Sequence, residues 1–93
     1  MKVFISQPMN GLTDQEILEK RKELTAAYPD AEIIDSFFEG APHDATPLWF
    51  LGESIKLLGT ADIVIFAKGW EKKRGCRIEH ACAVEYGIET VYE

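Results

Sequence analysis

Asp62-Ile63-Val64-Ile65-Phe66 carries four large apolar residues in a row with no polar alternation. A half-exposed strand would alternate, so this run reads as a strand covered on both faces, the position of an inner strand in a parallel sheet. Parallel strands need long crossovers, and helices are the usual ones. The chain must therefore supply amphipathic helices on both sides of that strand.

It does so in strict alternation. Lys2–Ser6 reads as a short strand, followed by the loop Gln7-Pro8-Met9-Asn10-Gly11-Leu12. Thr13-Asp14-Gln15-Glu16 is a capping box, with Thr13 as N-cap and Glu16 three residues on, and it opens a helix to about Ala27. Tyr28-Pro29-Asp30 stops it. Ala31–Asp35 is a second strand, and Ser36–Ala45 is a loop with two aromatics, Phe37 and Phe38. Thr46 and Pro47 start a second helix that runs to about Leu58 and ends at Gly59. After the apolar strand comes the loop Ala67–Arg74, then a third helix closed at Gly87 and a last strand at Glu89–Tyr92.

The order βαβαβαβ predicts a three-layer α/β fold, Rossmann-like or flavodoxin-like. Right-handed crossovers make 2-1-3-4 the most economical strand order for a four-stranded parallel sheet with helices on both faces. Strands 1 and 3 then flank the topological switch point, where open α/β sheets bind ligands beyond the carboxyl ends of the strands. The loops Ser6–Gly11 and Lys68–Gly75 meet there. At 93 residues the chain is read as one domain, residues 1–93.

Composition excludes several classes of partner. A formal charge of −6 argues against nucleic acid as a bulk electrostatic partner. No apolar run approaches membrane-spanning length, and Met1-Lys2-Val3-Phe4-Ile5 leads straight into a strand pattern, so no membrane partner and a cytoplasmic location are expected. Cys76 and Cys82 lie on different sides of one helix and read as reduced, small apolar residues. Cys76 and His80 have the i, i+4 spacing of a metal pair, but His43 is the only other histidine and no second cluster accompanies them. Neither a metal nor a cofactor is expected. The second helix, with Pro47-Leu48-Trp49-Phe50-Leu51, is apolar around much of its circumference. Trp49 or Phe50, with Phe37 and Phe38, are therefore expected to be subunit contacts in a homodimer or higher homo-oligomer.

The residue on which chemistry can be argued is Glu79. At about 100° per residue, Ile78, Cys82, Ala83 and Tyr86 form the apolar stripe of the third helix, and Glu79 projects between the directions of Tyr86 and Ala83. Carboxylates are seldom buried unless paired, so such a position is either locally satisfied, with help from the helix dipole, or used as an acid, base or nucleophile. Tyr86 itself reads as core and Glu85 as solvated. Lys72, Lys73 and Arg74 stand just before the helix N-terminus. Cations there oppose the helix dipole unless an anion such as a phosphate or carboxylate joins them and the backbone N–H groups near Gly75; a solvated basic rim is the alternative. Trp70 either stacks on a base or packs under its loop. Ser6, Gln7 and Asn10 can bond hydroxyls or ring nitrogens. Asp35 ends strand 2 at the ligand edge, whereas Asp62 lies at the opposite end and reads as a residue for capping or loop ordering.

Val3-Phe4-Ile5-Ser6-Gln7-Pro8-Met9-Asn10-Gly11, Ala61-Asp62-Ile63-Val64, and Lys68-Gly69-Trp70-Glu71 followed by Arg74-Gly75-Cys76-Arg77-Ile78-Glu79-His80-Ala81 together resemble the nucleoside 2-deoxyribosyltransferase-like superfamily, in particular its small phage or bacterial members. The most specific part is the glycine four residues before a helical glutamate. The resemblance implies that Glu79 is a nucleophile attacking the anomeric carbon of a (deoxy)ribosyl group, with transfer of the sugar to another base or to water. A carboxylate suits that task because it stabilises a developing oxocarbenium ion and then captures it. The resemblance places Ser6, Gln7, Pro8, Met9, Asn10, Ser54, Trp70, Lys73, Arg74 and Gly75 around a nucleoside or nucleotide. Ser54 and Lys73 stand where such transferases carry aspartates, so the usual acid is absent from its place and Lys73 favours a phosphorylated ligand.

Three functions compete on these grounds. The first is an N-glycosidase or deoxyribosyltransferase using Glu79. The second is a protein that binds or sequesters a nucleotide-derived ligand in the same pocket without cleaving it. The third is a purely structural protein, which requires Glu79 to be shielded from any cavity.

Overall fold

The computed structural model describes residues 1–36 and 40–93. Its elements are β1 (Lys2–Ser6), α1 (Asp14–Thr25), β2 (Glu32–Ile33), α2 (Pro47–Leu58), β3 (Ile63–Phe66), α3 (Arg74–Glu85) and β4 (Glu89–Tyr92), with a 3₁₀ turn at Trp70–Lys72 before α3. The strands form one parallel sheet in the order β2-β1-β3-β4, as expected from the winding rule. Ser6 pairs with Phe66, and Phe66 with Tyr92, so these three residues mark the carboxyl edge.

The strand pattern assigns each side chain to a layer. Val3, Ile5, Ile63 and Ile65 pack on one face with Leu24 and Tyr28. Phe4, Val64 and Phe66 pack on the other with Leu58 of α2 and Ala83 of α3. The apolar run Ile63–Phe66 is thus buried on both faces, and Val64 and Phe66 are completely inaccessible. Burial of each such side chain contributes about 1.5–3 kcal/mol. The Rossmann-like sheet is therefore fixed chiefly by β1 and β3.

Local signals set most of the boundaries. Thr13 caps α1 in a complete capping box, and Thr46 accepts from the Trp49 N–H to cap α2. Two elements are shorter than their sequence patterns. α1 ends at Thr25, because the backbone turns there, with the Tyr28 N–H on the Thr25 carbonyl, and Pro29 disfavours helix at the residue before it. β2 keeps only Glu32–Ile33 of Ala31–Asp35; Ile34 still donates to Val3, but the chain then turns inward to place Ser36 against Arg21.

α3 is rotated relative to the stripe read from its sequence. Its buried residues are Cys76, Glu79 and Ala83, whereas Ile78 is 36 % exposed and Tyr86, expected in the core, is 84 % exposed. Tyr86 sits at the helix C-cap, where the chain leaves through Gly87 with a positive φ, so it lies beyond the last packed turn of α3. Phe37 and Phe38, expected as subunit contacts, lie outside the described residues. No helix among the described residues is long and apolar enough to cross a membrane.

Candidate functional site at the carboxyl edge of the sheet

Two loops converge beyond β1 and β3. Gly69 adopts a φ of 91°, a left-handed conformation that suits glycine, and a Cβ placed on it would stand 3.8 Å from the Pro8 ring. The segments Ser6–Gly11 and Lys68–Gly75 therefore touch, as the switch-point geometry requires. The second loop is held by two contacts with other elements and by a hydrogen bond within itself. The Lys68 N–H donates to Glu93 Oε1 at 2.7 Å, Trp70 stacks on His80 with ring centroids 4.2 Å apart, and the Lys73 N–H donates to the Trp70 carbonyl.

Glu79 faces this junction from α3. Its side chain is buried, with 8 % exposure for the residue, and its Oε1 accepts a 2.7 Å hydrogen bond from the Ser6 hydroxyl at the end of β1. Burial pushes its carboxyl above the ordinary range, and the Ser6 bond opposes that shift. Cys76, one turn earlier, is also buried. Burial raises its thiol, the Ser6 hydroxyl opposes that shift, and the charges of Glu79 and Lys73 act in opposite directions. Lys73 is thus felt at Cys76, between the rim and the carboxylate.

The remaining predicted residues divide into three groups. Lys73 is the half-buried N-cap of α3, with Arg74 exposed and Gly75 facing open space. No side chain caps this helix start, so its first N–H groups have no capping acceptor from the N-cap residue. Met9 and Asn10 are exposed on the turn closed by the Leu12 N–H on the Met9 carbonyl, with Pro8 half-buried behind them. Gln7 and Trp70 are engaged within the protein. The Gln7 amide accepts from Arg21 and donates to the Ile17 carbonyl, while Trp70 packs on Phe66, His80 and Tyr92 beneath its loop. Ser54 is half-buried in the middle of α2.

A family model described as "Domain of unknown function (DUF4406)" matches residues 1–92. The chain belongs to this family. No curated protein matches it. The DUF4406 match spans every element of the sheet and both loops of the site, so the Ser6–Glu79 bond joins the two ends of one family domain.

Two features of this DUF4406 site were not singled out from the sequence. Arg21, 8 % exposed, donates from Nε to Gln7 at 2.9 Å and from Nη2 to Ser36 Oγ at 2.6 Å, tying the ends of β1 and β2 together from α1. Burial lowers its pKa and nearby Asp35 opposes this. The signal was present, because Ile17, Arg21, Leu24 and Tyr28 recur at i, i+4, i+7 and i+11 and so put a charge on an apolar stripe. The second is the aromatic cluster in which His80 Nε2 lies 2.7 Å from the Tyr92 hydroxyl. Its partners come from separate elements, and sequence spacing alone does not join them. Among the described residues no group of three or more His, Cys, Asp or Glu is placed to hold a metal ion. A hollow of about 290 Å³ bordered by Met1, Tyr28 and Asp30 lies at the amino edge, away from Glu79.

Proposed function

We propose that this protein acts on the N-glycosidic bond of a nucleotide, by hydrolysis or base exchange, with Glu79 as nucleophile. The observation that carries this reading is the buried carboxylate held by Ser6 at the switch-point edge, where a ligand of the sheet would sit. In the reaction a Glu79 oxygen bonds to the anomeric carbon as the carbon–nitrogen bond breaks. The bonding pair leaves with the base, which takes up a proton, and water or a second base then displaces the carboxylate. The confined surround strengthens the attraction between the carboxylate and the cationic transition state.

Lys73 and Arg74, beside the uncapped start of α3, are the proposed phosphate contacts. Pro8, Met9 and Asn10 wall the ligand on one side, and Gly75 allows close approach on the other. Gln7 and Trp70 shape the pocket through their protein contacts, and Ser54 is assigned to ordering the sugar or base. The exposed Leu48 and Phe50 of α2 support self-association of the chain, measurable by sedimentation.

Mass spectrometry of mixed (deoxy)nucleotides incubated with wild type and with Glu79→Gln tests the assignment. Release of a free base by wild type and its loss in the variant are expected; equal turnover by both would sink the proposal. One observation favours binding without cleavage as the second reading: Ser54 and Lys73 stand where the transferases that the sequence resembles carry aspartates. Recovery of an intact nucleotide from the protein, with no base released, would establish that alternative.

A further inference from the structure

Five of the ten basic residues of the chain lie within residues 68–77, in company with one acid, Glu71. The other five share the rest of the chain with fifteen acids. A segment of formal charge +4 thus stands at the rim of the switch-point site, on a remainder of −10. Cations in so acidic a protein have carboxylates to pair with, and elsewhere they do so: Lys20 meets Glu23 and Glu93, and Lys56 meets Glu53. Lys68 has Glu93 beside it, whose carboxylate accepts its backbone N–H. Among the described residues Lys72, Lys73, Arg74 and Arg77 form no ion pair.

The fold gathers these four instead of spreading them. Arg77 Nη1 donates to the Glu71 carbonyl at 3.0 Å, which brings the guanidinium from α3 back onto the turn Trp70–Lys72. It takes the carbonyl although the same residue carries a carboxylate. Lys73 and Arg74 precede Arg77 by four and three residues, spacings at which like charges on a helix repel, and cations at a helix start oppose its dipole. The turn itself is fixed by the Lys72 N–H on the Gly69 carbonyl and by Trp70 stacked on His80. Four cations on a fixed frame, with no internal counter-charge, match an anion that carries several charges.

We propose that the ligand of this site is a nucleoside 5′-di- or triphosphate, with its first phosphate at Lys73 and Arg74 and the rest of the phosphate chain over Lys72 and Arg77. The inference rests on the proposed nucleotide reading of the site and names its substrate class. A monophosphate carries about two negative charges near neutral pH, which Lys73 and Arg74 already balance. Lys72 and Arg77 exceed that need, and both are exposed on the solvent side, where further phosphates extend. The acidic remainder of the surface turns a polyanion away elsewhere and steers it to this rim. The same charge disfavours nucleic acid, whose backbone would run off so short a patch onto acidic surface.

The test titrates isotope-labelled protein with orthophosphate, pyrophosphate and tripolyphosphate at constant ionic strength and follows the amide shifts by NMR. Affinity is expected to rise about tenfold with each added phosphate, with the shifts centred on residues 72–77. Lys72→Ala and Arg77→Ala should each weaken tripolyphosphate about tenfold and leave orthophosphate unchanged, whereas Arg74→Ala should weaken all three. Lys22→Ala and Lys56→Ala remove the same charge elsewhere and should change nothing. A panel of (deoxy)nucleoside mono-, di- and triphosphates, offered to Glu79→Gln so that turnover does not deplete it, should be retained in order of phosphate number. The proposal is overturned if the three inorganic phosphates bind equally, or if Lys72→Ala and Arg77→Ala bind tripolyphosphate as wild type does. It is equally overturned if oligothymidylate binds more tightly as it lengthens, which would make the patch a nucleic-acid surface. Base release plays no part in this readout, so a wild type that cleaves no nucleotide overturns the glycosidic reading and leaves the phosphate series to decide the ligand.

Discussion

The two ends of β1 each hold a carboxylate at the same distance and use it differently. At the amino end the Lys2 backbone N–H donates to Asp62 Oδ2 at 2.7 Å in an exposed setting. At the carboxyl end the Ser6 hydroxyl donates to Glu79 Oε1 at 2.7 Å in a buried one. The bonds match in length, so the hydrogen bond itself does not distinguish structure from chemistry. Water does: Asp62 is solvated and organises the start of β3, whereas Glu79 is buried and, among the described residues, accepts from one neutral donor, Ser6. A group left in that condition has free energy to gain from a cationic or electron-poor ligand.

The strongest way to break this contrast is to neutralise each carboxylate in turn. Glu79→Gln is expected to lower base release by about 10³-fold or more, read as kcat/KM on the best nucleotide substrate. The same variant should be no less stable than wild type at pH 7, because it removes a desolvated charge. A second test asks whether buried polar groups at the carboxyl edge are structural wherever they are fully bonded. Arg21→Ala strips two donors from Gln7 and Ser36, so urea denaturation should show a loss of about 2–4 kcal/mol. Arg21→Lys should recover only part of that, since one ammonium does not reproduce the guanidinium fork.

The third expectation concerns pH. Glu79 has a raised pKa in the folded protein, so between its unfolded and folded values the native state binds more protons than the unfolded chain. Its contribution to stability is fully present below the unfolded pKa and is lost as pH rises through the folded one. Urea midpoints of wild type measured against Glu79→Gln should fall with rising pH across that window, and a parallel pair of curves would remove the contrast with Asp62. The smallest effect belongs to the exposed end. Asp62→Ala is expected to cost about 1 kcal/mol or less and to leave base release unchanged.

Much of the fold was legible because its signals are local or periodic. The capping box at Thr13, the Thr46-Pro47 start and the unbroken Ile63–Phe66 run each carry their own physical reason, and right-handed winding converts their order into 2-1-3-4. β2 is shorter than its pattern predicts because β propensity at Ile33 and Ile34 does not reveal where Arg21 draws the chain aside. The stripe of large apolar residues does not mark the buried face of α3. The sheet instead receives the smaller Cys76 and Ala83, with Glu79 between them. That rotation leaves Tyr86 in solvent and makes Glu79 more central to the buried face than its sequence position indicated.

By itself the sequence determined the alternation of strands and helices and the switch-point edge, because hydrophobic period, caps and crossover handedness act over a few residues or follow from chain order, and it singled out Glu79 as the residue on which chemistry can be argued. Only the tertiary structure decided what Glu79 touches. Ser6 and Glu79 are 73 residues apart, and nothing in local periodicity couples a strand end to one particular helical rotation. Packing of α3 on the sheet makes that choice, and with it sets the burial that separates Glu79 from Asp62.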